Sequence, residues 1–314
     1  MKVKKASLMY LPLQLLLASV ARLPFGALYR LADLIYVLVY YIARYRRKTV
    51  LKNLKESFPE KNEAEITNIC REFYRNFADY IVETIKLGHV TDRQIMKRME
   101  IVGIETVDRL FSEGRSIIMM FSHCFNWEWA TSITLWSRFK PSEKTVYAQV
   151  YRHLDNDWFN NYFLKLRSRF GSVSFDKRMV LRNLVQLRRQ GIKSITGFMS
   201  DQKPSHGDTA MHVVNFLNHP TAMITGTEIL ARKLDMAVLY WDVEKPARGH
   251  YRLTVRLLAE HPGKLPEFSI TDQYASLLEN TIRRTPSIWL WTHKRWKNPV
   301  KAAPLSQTAH TQQQ

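Results

Sequence analysis

The sequence predicts an α/β fold with a mixed central sheet flanked by helices, preceded by a hydrophobic helical segment. Three observations support it: 46% of the 314 residues are hydrophobic, short β-rich runs begin at residue 99, and segments of helical length separate several of them. The expected strands are residues 99–102, 116–121, 145–150, 193–199, 211–216, 237–243 and 251–257. The expected helices are residues 62–87, 105–113, 125–137, 156–170, 177–190 and 222–234.

The composition describes a basic chain with enough apolar residues to bury a core. Lys and Arg number 47 against 28 Asp and Glu, a net charge of +19, which predicts a polyanionic partner: nucleic acid, an anionic membrane or a phosphorylated substrate. The hydrophobic content excludes intrinsic disorder. The two cysteines, Cys70 and Cys124, are too few for a disulfide framework and favour a reducing compartment.

The apolar pattern of residues 1–45 predicts that this segment is a membrane anchor. Two apolar stretches, residues 8–21 and 27–43, are each interrupted by polar residues and are shorter than the roughly 20 apolar residues of a simple span. They fit a hydrophobic hairpin or single helix at the membrane interface, with tyrosines at headgroup depth. The alternative is a buried helix of a soluble domain with a solvated basic face.

A basic cluster follows this segment directly. Such a cluster beside an apolar segment is attracted to an anionic leaflet by about 1 kcal/mol per basic residue. Its members are Arg44, Arg46, Arg47, Lys48, Lys52 and Lys55. An anionic membrane is therefore the expected polyanion.

The first candidate site follows the strand expected at residues 116–121. His123 would lie in the turn after this strand and Glu128 just inside the next helix, so that the carboxylate could reach back to one ring nitrogen. His123 would then be a general base for a hydroxyl, at the strand end where open α/β sheets bind ligands. The alternative is a capping histidine with an unrelated surface glutamate.

Three further groups of polar residues lie at the ends of later segments. Arg152 could bind a phosphate or polarise a carbonyl, or could belong to an ordinary turn. Asp201 and Gln202 could support Arg152 or the substrate, or form a plain polar turn. Residues 288–297 interleave tryptophans with basic residues, which suits anionic headgroups and also single-stranded nucleic acid. The headgroup contacts expected there are Lys294, Arg295, Trp296 and Lys297.

Several common site motifs are missing from the sequence. There is no G-x-S-x-G elbow, no Walker or G-x-G-x-x-G loop, and no H-E-x-x-H or paired-cysteine spacing. We therefore expect no serine nucleophile, no cofactor and no metal. Cys124 is expected to be a small buried side chain and not an acyl carrier.

In their order along the chain these motifs resemble the bacterial lipid A biosynthesis acyltransferases of the late, lauroyl/myristoyl type, within the H-x4-D/E acyltransferase superfamily. The matching segments are His123-x4-Glu128, Tyr151-Arg152, Asp201-Gln202, the tryptophan-rich residues 289–297 and, upstream, residues 47–54 and 57–59. The loop after Gln202 departs from the family pattern, because residues 203–208 are more basic than the expected acidic, glycine-rich version.

The resemblance implies a membrane-associated O-acyltransferase that moves a fatty acyl chain from acyl carrier protein to a hydroxyl of a lipid A precursor. It implies His123 and Glu128 as catalytic residues, with Asn126, Arg152, Asp201 and Gln202 binding substrate or supporting the site. Residues 46–303 would form the catalytic domain, on the cytoplasmic side of the inner membrane, and residues 304–314 a disordered tail. The acidic carrier protein would dock on the basic surface.

Two alternatives to this function remain at the level of the sequence. One is acylation of another membrane lipid, such as an aminolipid or a glycolipid. The other is a non-enzymatic, basic lipid- or nucleic-acid-binding protein, although a nucleic-acid binder does not need a hydrophobic N-terminal segment. Nucleic acid is therefore not expected as a partner.

Overall fold

A computed structural model of the protein describes residues 9–204 and 211–297. It has a seven-stranded sheet and a separate two-stranded hairpin. The tail at residues 304–314, and most of the basic loop after Gln202, lie outside the described residues.

The N-terminal third is helical. Its elements are α1 (Leu11–Arg22), α2 (Phe25–Val37), a π-helical turn (Leu38–Ile42), α3 (Arg47–Ser57), α4 (Glu63–Lys86) and α5 (Asp92–Met96). The long helix expected at residues 62–87 is confirmed as α4. It begins with a capping box, in which Asn62 accepts from the Glu65 backbone N–H at 3.0 Å and the Glu65 side chain accepts from the Asn62 N–H at 2.8 Å.

The sheet confirms the expected mixed α/β class. Its strands are β1 (Met99–Val102), β2 (Ile117–Phe121), β3 (Thr145–Tyr151), β4 (Val173–Asp176), β5 (Lys193–Met199), β8 (Ala237–Ala247) and β9 (His250–Ala259), in the order β1-β9-β8-β2-β5-β3-β4. Strands β8, β2, β5, β3 and β4 run parallel, whereas β9 is antiparallel to β8 and β1 follows the direction of β9.

The hairpin of β6 (Met211–Phe216) and β7 (His219–Ile224) corrects one sequence expectation. The helix expected at residues 222–234 begins only at Gly226, because residues 222–224 pair with β6. The turn between the strands holds Leu217 and Asn218 at φ values of 53° and 66°. A leucine is uncommon in this left-handed region, so the sequence carries no ordinary turn signal there.

Helices cover both faces of the sheet. The remaining helical elements are α6 (Ile104–Ser112), a 3₁₀ helix (Trp127–Leu135) where an α-helix was expected at residues 125–137, α7 (Asp157–Arg167), α8 (Val180–Arg189), α9 (Gly226–Leu234) and α10 (Ser269–Arg284). The crossovers from β2 to β3 and from β3 to β4 run one way across the sheet, and those from β4 to β5 and from β5 to β8 run the other way. Since parallel crossovers are right-handed, the 3₁₀ helix and α7 cover one face and α8 and α9 the opposite face.

Helix α2 has one face in the protein core and another outside it. Leu28, Ala32 and Tyr36 are buried with the core of the sheet domain, whereas Leu34 is 68% exposed. The helical segment Phe25–Ile42 is long and apolar enough to cross a membrane, with 22% of it buried. The packing therefore continues across the boundary expected at residue 45, and the membrane role of this segment stays a prediction.

We predict that Leu28→Ala lowers the free energy of unfolding by about 2–5 kcal/mol, because it leaves a cavity between α2 and the core. Leu34→Ala on the same helix is the matched control and should change this free energy by at most about 0.5 kcal/mol, since its side chain is exposed. Urea unfolding of the detergent-dispersed protein measures both. Equal small effects would mean that α2 does not pack on the domain.

Candidate active site

The candidate site lies at the carboxyl ends of the two neighbouring parallel strands β2 and β5. His123 follows β2 and Asp201 follows β5, and the pairing of these strands brings the two side chains together. The His123 Nδ1 atom lies 2.8 Å from Asp201 Oδ1, and the His123 backbone N–H donates to Asp201 Oδ2 at 3.0 Å. Trp289 Nε1 donates to the same Oδ2 at 2.8 Å. Three donors thus fix one buried carboxylate against the histidine.

The charge of Asp201 determines which ring nitrogen of His123 carries the hydrogen in the neutral imidazole. Burial raises the pKa of Asp201, but the charge of His123 and the hydrogen bonds from His123 and Trp289 outweigh burial and lower this pKa to about 2. The carboxylate is therefore ionised at neutral pH and accepts a hydrogen bond from Nδ1–H of His123. In the neutral imidazole this leaves Nε2 as an acceptor, and Gln202 Nε2 lies 3.1 Å from it.

Glu128 has a different partner from the one expected. Its buried carboxylate accepts a bidentate pair of hydrogen bonds from Arg167 in α7, with Nε to Oε2 at 2.8 Å and Nη2 to Oε1 at 2.6 Å. The expectation that Glu128 would hold a ring nitrogen of His123 is wrong, because Asp201 occupies Nδ1. Sequence spacing favoured Glu128 because it lies near His123 in the chain, whereas Asp201 comes from a neighbouring strand. A catalytic role for Glu128 stays a prediction.

Asn126 connects the loop after β2 to helix α4. Its Oδ1 accepts from the Glu128 backbone N–H at 3.1 Å, and its Nδ2 donates to Glu83 Oε2 at 3.0 Å. Glu83 is fully buried, which raises its pKa, and it also accepts from the hydroxyls of Tyr29 at 3.0 Å and Tyr251 at 2.8 Å. Asn126 therefore supports the site through this buried network.

The sequence interpretation missed Glu83 and Arg167. Glu83 left a weak signal, an acidic residue three positions after Tyr80 in an amphipathic helix whose other stripe residues are apolar. Arg167 left none, because it is one of 47 basic residues and its partner is distant in the chain.

A large cleft opens beside His123 and passes over the carboxyl edge of the sheet. Its volume is about 1590 Å³, above the roughly 300–1,000 Å³ of ordinary small-molecule sites. Met119 and Phe121 line it from one face of the sheet, and Ala148, Val150 and Phe198 line it from the opposite face. The cleft thus has apolar walls on both faces of the sheet, with space for more than one small molecule.

Arg152 and His293 add polar side chains to the cleft wall. Arg152 is exposed at the cleft, and in the described part of the chain its side chain has no hydrogen bond or ion pair, so the expected support from Asp201 is not found. Burial lowers the pKa of His293 to about 4, which keeps this imidazole neutral at physiological pH. Its Nδ1 is buried and has no partner within residues 9–204 and 211–297.

The tryptophan-rich segment serves the interior more than the surface. The backbones of Trp289 and Cys124 pair in an isolated antiparallel β-bridge, and the Leu290 N–H donates to the His123 carbonyl at 3.1 Å. Arg295 is only 4% exposed and donates to the Ala222 carbonyl at 2.8 Å, so its expected contact with a headgroup is wrong.

The other expected headgroup residues lie at or near the surface. Lys294 and Lys297 are exposed, and Trp296 is half-buried and stacked on His219. Near the N-terminus, Lys48 and Arg46 are exposed and Arg47 is half-buried. Two contacts join this region to the tryptophan-rich segment and to the core: Arg46 donates to the Thr292 carbonyl at 3.1 Å, and the Arg47 guanidinium lies 4.4 Å from the Tyr40 ring centroid. Contact of these side chains with a membrane stays a prediction.

Cys124 is unsuited to nucleophilic chemistry. The side chain is buried next to Ser122, whose hydroxyl lies 3.1 Å from the sulfur, and burial raises the pKa of the thiol well above its ordinary value. The reactive thiolate is therefore disfavoured. Within the described residues, no group of three or more His, Cys, Asp or Glu side chains could hold a metal ion.

Comparison with known proteins gives one family and several relatives. The family model of bacterial lipid A biosynthesis acyltransferases matches residues 4–298. The chain is 25% identical over 291 residues to the lipid A biosynthesis lauroyltransferase of Escherichia coli K12, covering 91% of this chain and 90% of that protein. It is 24% identical over 268 residues to the palmitoleoyltransferase of the same strain, covering 83% and 82%. It is 23% identical over 162 residues to the myristoyltransferase, covering 52% and 48%.

We predict that Glu128→Leu and Arg167→Leu each lower the free energy of unfolding by about 3–5 kcal/mol, because each leaves the other charge buried without its partner. The double variant should recover most of this loss, since the remaining groups are apolar. Urea unfolding of the four proteins completes the double-mutant cycle. Additive losses in the double variant would contradict a direct pairing of these side chains.

Proposed function

Because the chain belongs to the bacterial lipid A biosynthesis acyltransferase family, we propose that it transfers a fatty acyl chain from acyl carrier protein to a hydroxyl of a lipid A precursor. The observation that carries this proposal is the hydrogen bond between His123 and Asp201 at the edge of a large apolar cleft. A general base for the hydroxyl thus lies beside space for hydrocarbon chains.

In the proposed reaction, Nε2 of His123 takes the proton of the acceptor hydroxyl as its oxygen attacks the thioester carbonyl. Asp201 accepts from Nδ1–H and stabilises the imidazolium that forms. The tetrahedral intermediate then collapses to an ester, and His123 returns the proton to the leaving thiolate. The amide of Gln202, 3.1 Å from Nε2, lies where the hydroxyl would bind. Direct transfer of this kind needs no nucleophile from the protein.

The supporting roles follow from the contacts of each side chain. Glu128 acts through Arg167, which lines the cleft, and so shapes the wall next to His123. Arg152 at the cleft would bind a phosphate of the acceptor, since its donors are directed at no carboxylate among the described residues. A phosphate on the acceptor would account for an exposed arginine beside an apolar cleft.

The remaining positive charge suits two further anionic partners. Exposed basic residues such as Arg46 and Lys48 follow the apolar N-terminal helices and would face the cytoplasmic leaflet of the inner membrane. Acyl carrier protein, which is acidic, would be attracted to other parts of a surface carrying a net charge of +19.

We predict that His123→Ala lowers the acyl transfer rate by about 10²–10⁴-fold without unfolding the protein. Asp201→Asn should lower the rate as well, because an amide cannot stabilise the imidazolium. Cys124→Ala is the matched control next to His123 and should keep transfer within about tenfold of the wild type, because its thiol takes no part in the proton transfer. Transfer of labelled acyl chains from acyl carrier protein measures the rate, and circular dichroism checks folding. A wild-type transfer rate in His123→Ala would contradict general-base catalysis by His123.

We predict that cells lacking this protein contain lipid A with one acyl chain fewer, because the proposed acceptor is its precursor. Mass spectrometry of lipid A and polar lipids identifies the missing chain, and the wild-type gene should restore it while the His123→Ala gene should not. Unchanged lipid A together with a changed minor lipid would favour another acceptor.

A further inference from the structure

The start of helix α7 exposes apolar side chains to solvent. Phe159 in its first turn is 38% exposed, and Leu154, just before the helix, is 40% exposed. Trp158 stacks on Tyr162 one turn later, with ring centroids 5.4 Å apart and an angle of 7° between the planes. This end of α7 thus presents stacked aromatic rings and exposed apolar side chains at the surface.

Helix α1 extends this surface. Tyr10, which precedes α1, stacks on Trp158 with centroids 5.0 Å apart, and its hydroxyl accepts from Asn156 Nδ2 at 2.8 Å. Leu15 and Leu16 on α1 are each 59% exposed. Tyr10 and Trp158 thus join the exposed apolar side chains of the two helices. We call this set the rim: Leu11, Leu15 and Leu16 from α1, the joining Tyr10 and Trp158, and Leu154 and Phe159.

The rim borders the cleft that holds His123. Residues 152–155 line this cleft and lead directly into α7, and Phe163 and Arg167 line it from later turns of the same helix. Only the capping segment 155–157 and Trp158 separate the lining residue Leu154 from the exposed Phe159 in the chain. An apolar chain in contact with the rim is therefore next to the cleft, to which this side contributes the apolar side chains of Leu154 and Phe163.

We propose that the rim inserts into the acyl layer of an anionic bilayer, and that the lipid acceptor moves its chains sideways from the bilayer into the cleft. This inference rests on the proposed function, because it concerns the route of that acceptor. Lateral entry keeps the hydrocarbon chains out of water during transfer, which the hydrophobic effect favours.

The bilayer fits the rim better than a protein partner does. The segments that carry the rim also carry exposed Arg22 on α1, Arg152 just before α7 and Lys165 on α7, against Asp155 and Asp157, and the whole chain has a net charge of +19. Exposed apolar side chains beside basic ones are typical of segments that lie in a membrane interface. The exposed side of α2, within the apolar segment Phe25–Ile42, adds to the apolar surface of the N-terminal helices.

The test uses the double variant Leu15→Gln/Phe159→Gln, which changes one exposed side chain on each helix and no side chain that lines the cleft. Glutamine leaves the charge unchanged. The matched control is Leu257→Gln, because Leu257 is 45% exposed but lies on β9, toward the opposite end of the sheet from the strands that α7 connects.

Transfer is measured with the acceptor in vesicles of phosphatidylethanolamine and phosphatidylglycerol, and again with the acceptor in dilute detergent micelles. The double variant should lose about tenfold in vesicle transfer, equal to about 1.4 kcal/mol, and should keep the wild-type rate in micelles. Leu257→Gln should match the wild type in both.

Wild-type rates of the double variant in vesicles would overturn the inference, and so would an equal loss in vesicles and micelles, which would place the damage in the site itself. Absence of transfer by the wild-type protein in both preparations would instead refute the proposed function.

Discussion

The parallel pairing of β2 with β5 is the constraint on which the site depends. It aligns Phe121 with Met199, so that the chain beyond each strand leaves the sheet at the same edge. His123 and Asp201, 78 residues apart in sequence, then come within hydrogen-bonding distance. The buried carboxylate needs several donors to remain ionised away from water. Those donors, the backbone and ring of His123 and the indole of Trp289, fix its position relative to the histidine.

The tryptophan-rich segment, residues 288–297, also helps to hold Asp201 and the loop beside His123 in place. Trp289 both donates to Asp201 and pairs with Cys124, and Asn53 of α3 donates to the carbonyls of Trp291 and His293 at 3.0 and 3.1 Å. Backbone groups at this depth must find partners, and here they find them in a loop and a helix that are remote in sequence. The aromatic and basic pattern of this segment therefore reflects a buried supporting role at Trp289, Trp291 and Arg295.

Local patterns in the sequence predicted the strands better than the contacts of the site. Strands β1, β5 and β6 have the expected bounds, whereas β4 and β7 were missed. Strand β4 lies at the edge of the sheet and has only two apolar residues, Val173 and Phe175, and β7 lacks a recognisable turn before it. His123 was found by its place after a strand, but Glu128 was assigned to it only because the two are close in sequence, and the structure pairs Glu128 with Arg167. Which carboxylate meets His123 depends on strand order, a property of the whole sheet that no local pattern encodes.

The buried Glu83 connects helix α2 with the loop beside His123 and with β9. Its carboxylate accepts from Tyr29 of α2, Asn126 of the loop beside His123, and Tyr251 of β9. All three donors are neutral, and removing one would leave part of a buried polar group unsatisfied. Helix α2, whose outer face is apolar, is thereby held in a fixed position relative to the active-site loop. The apolar face of α2 and the loop beside His123 consequently belong to one packed body. The orientation of α2 at a membrane would therefore also set the orientation of the cleft.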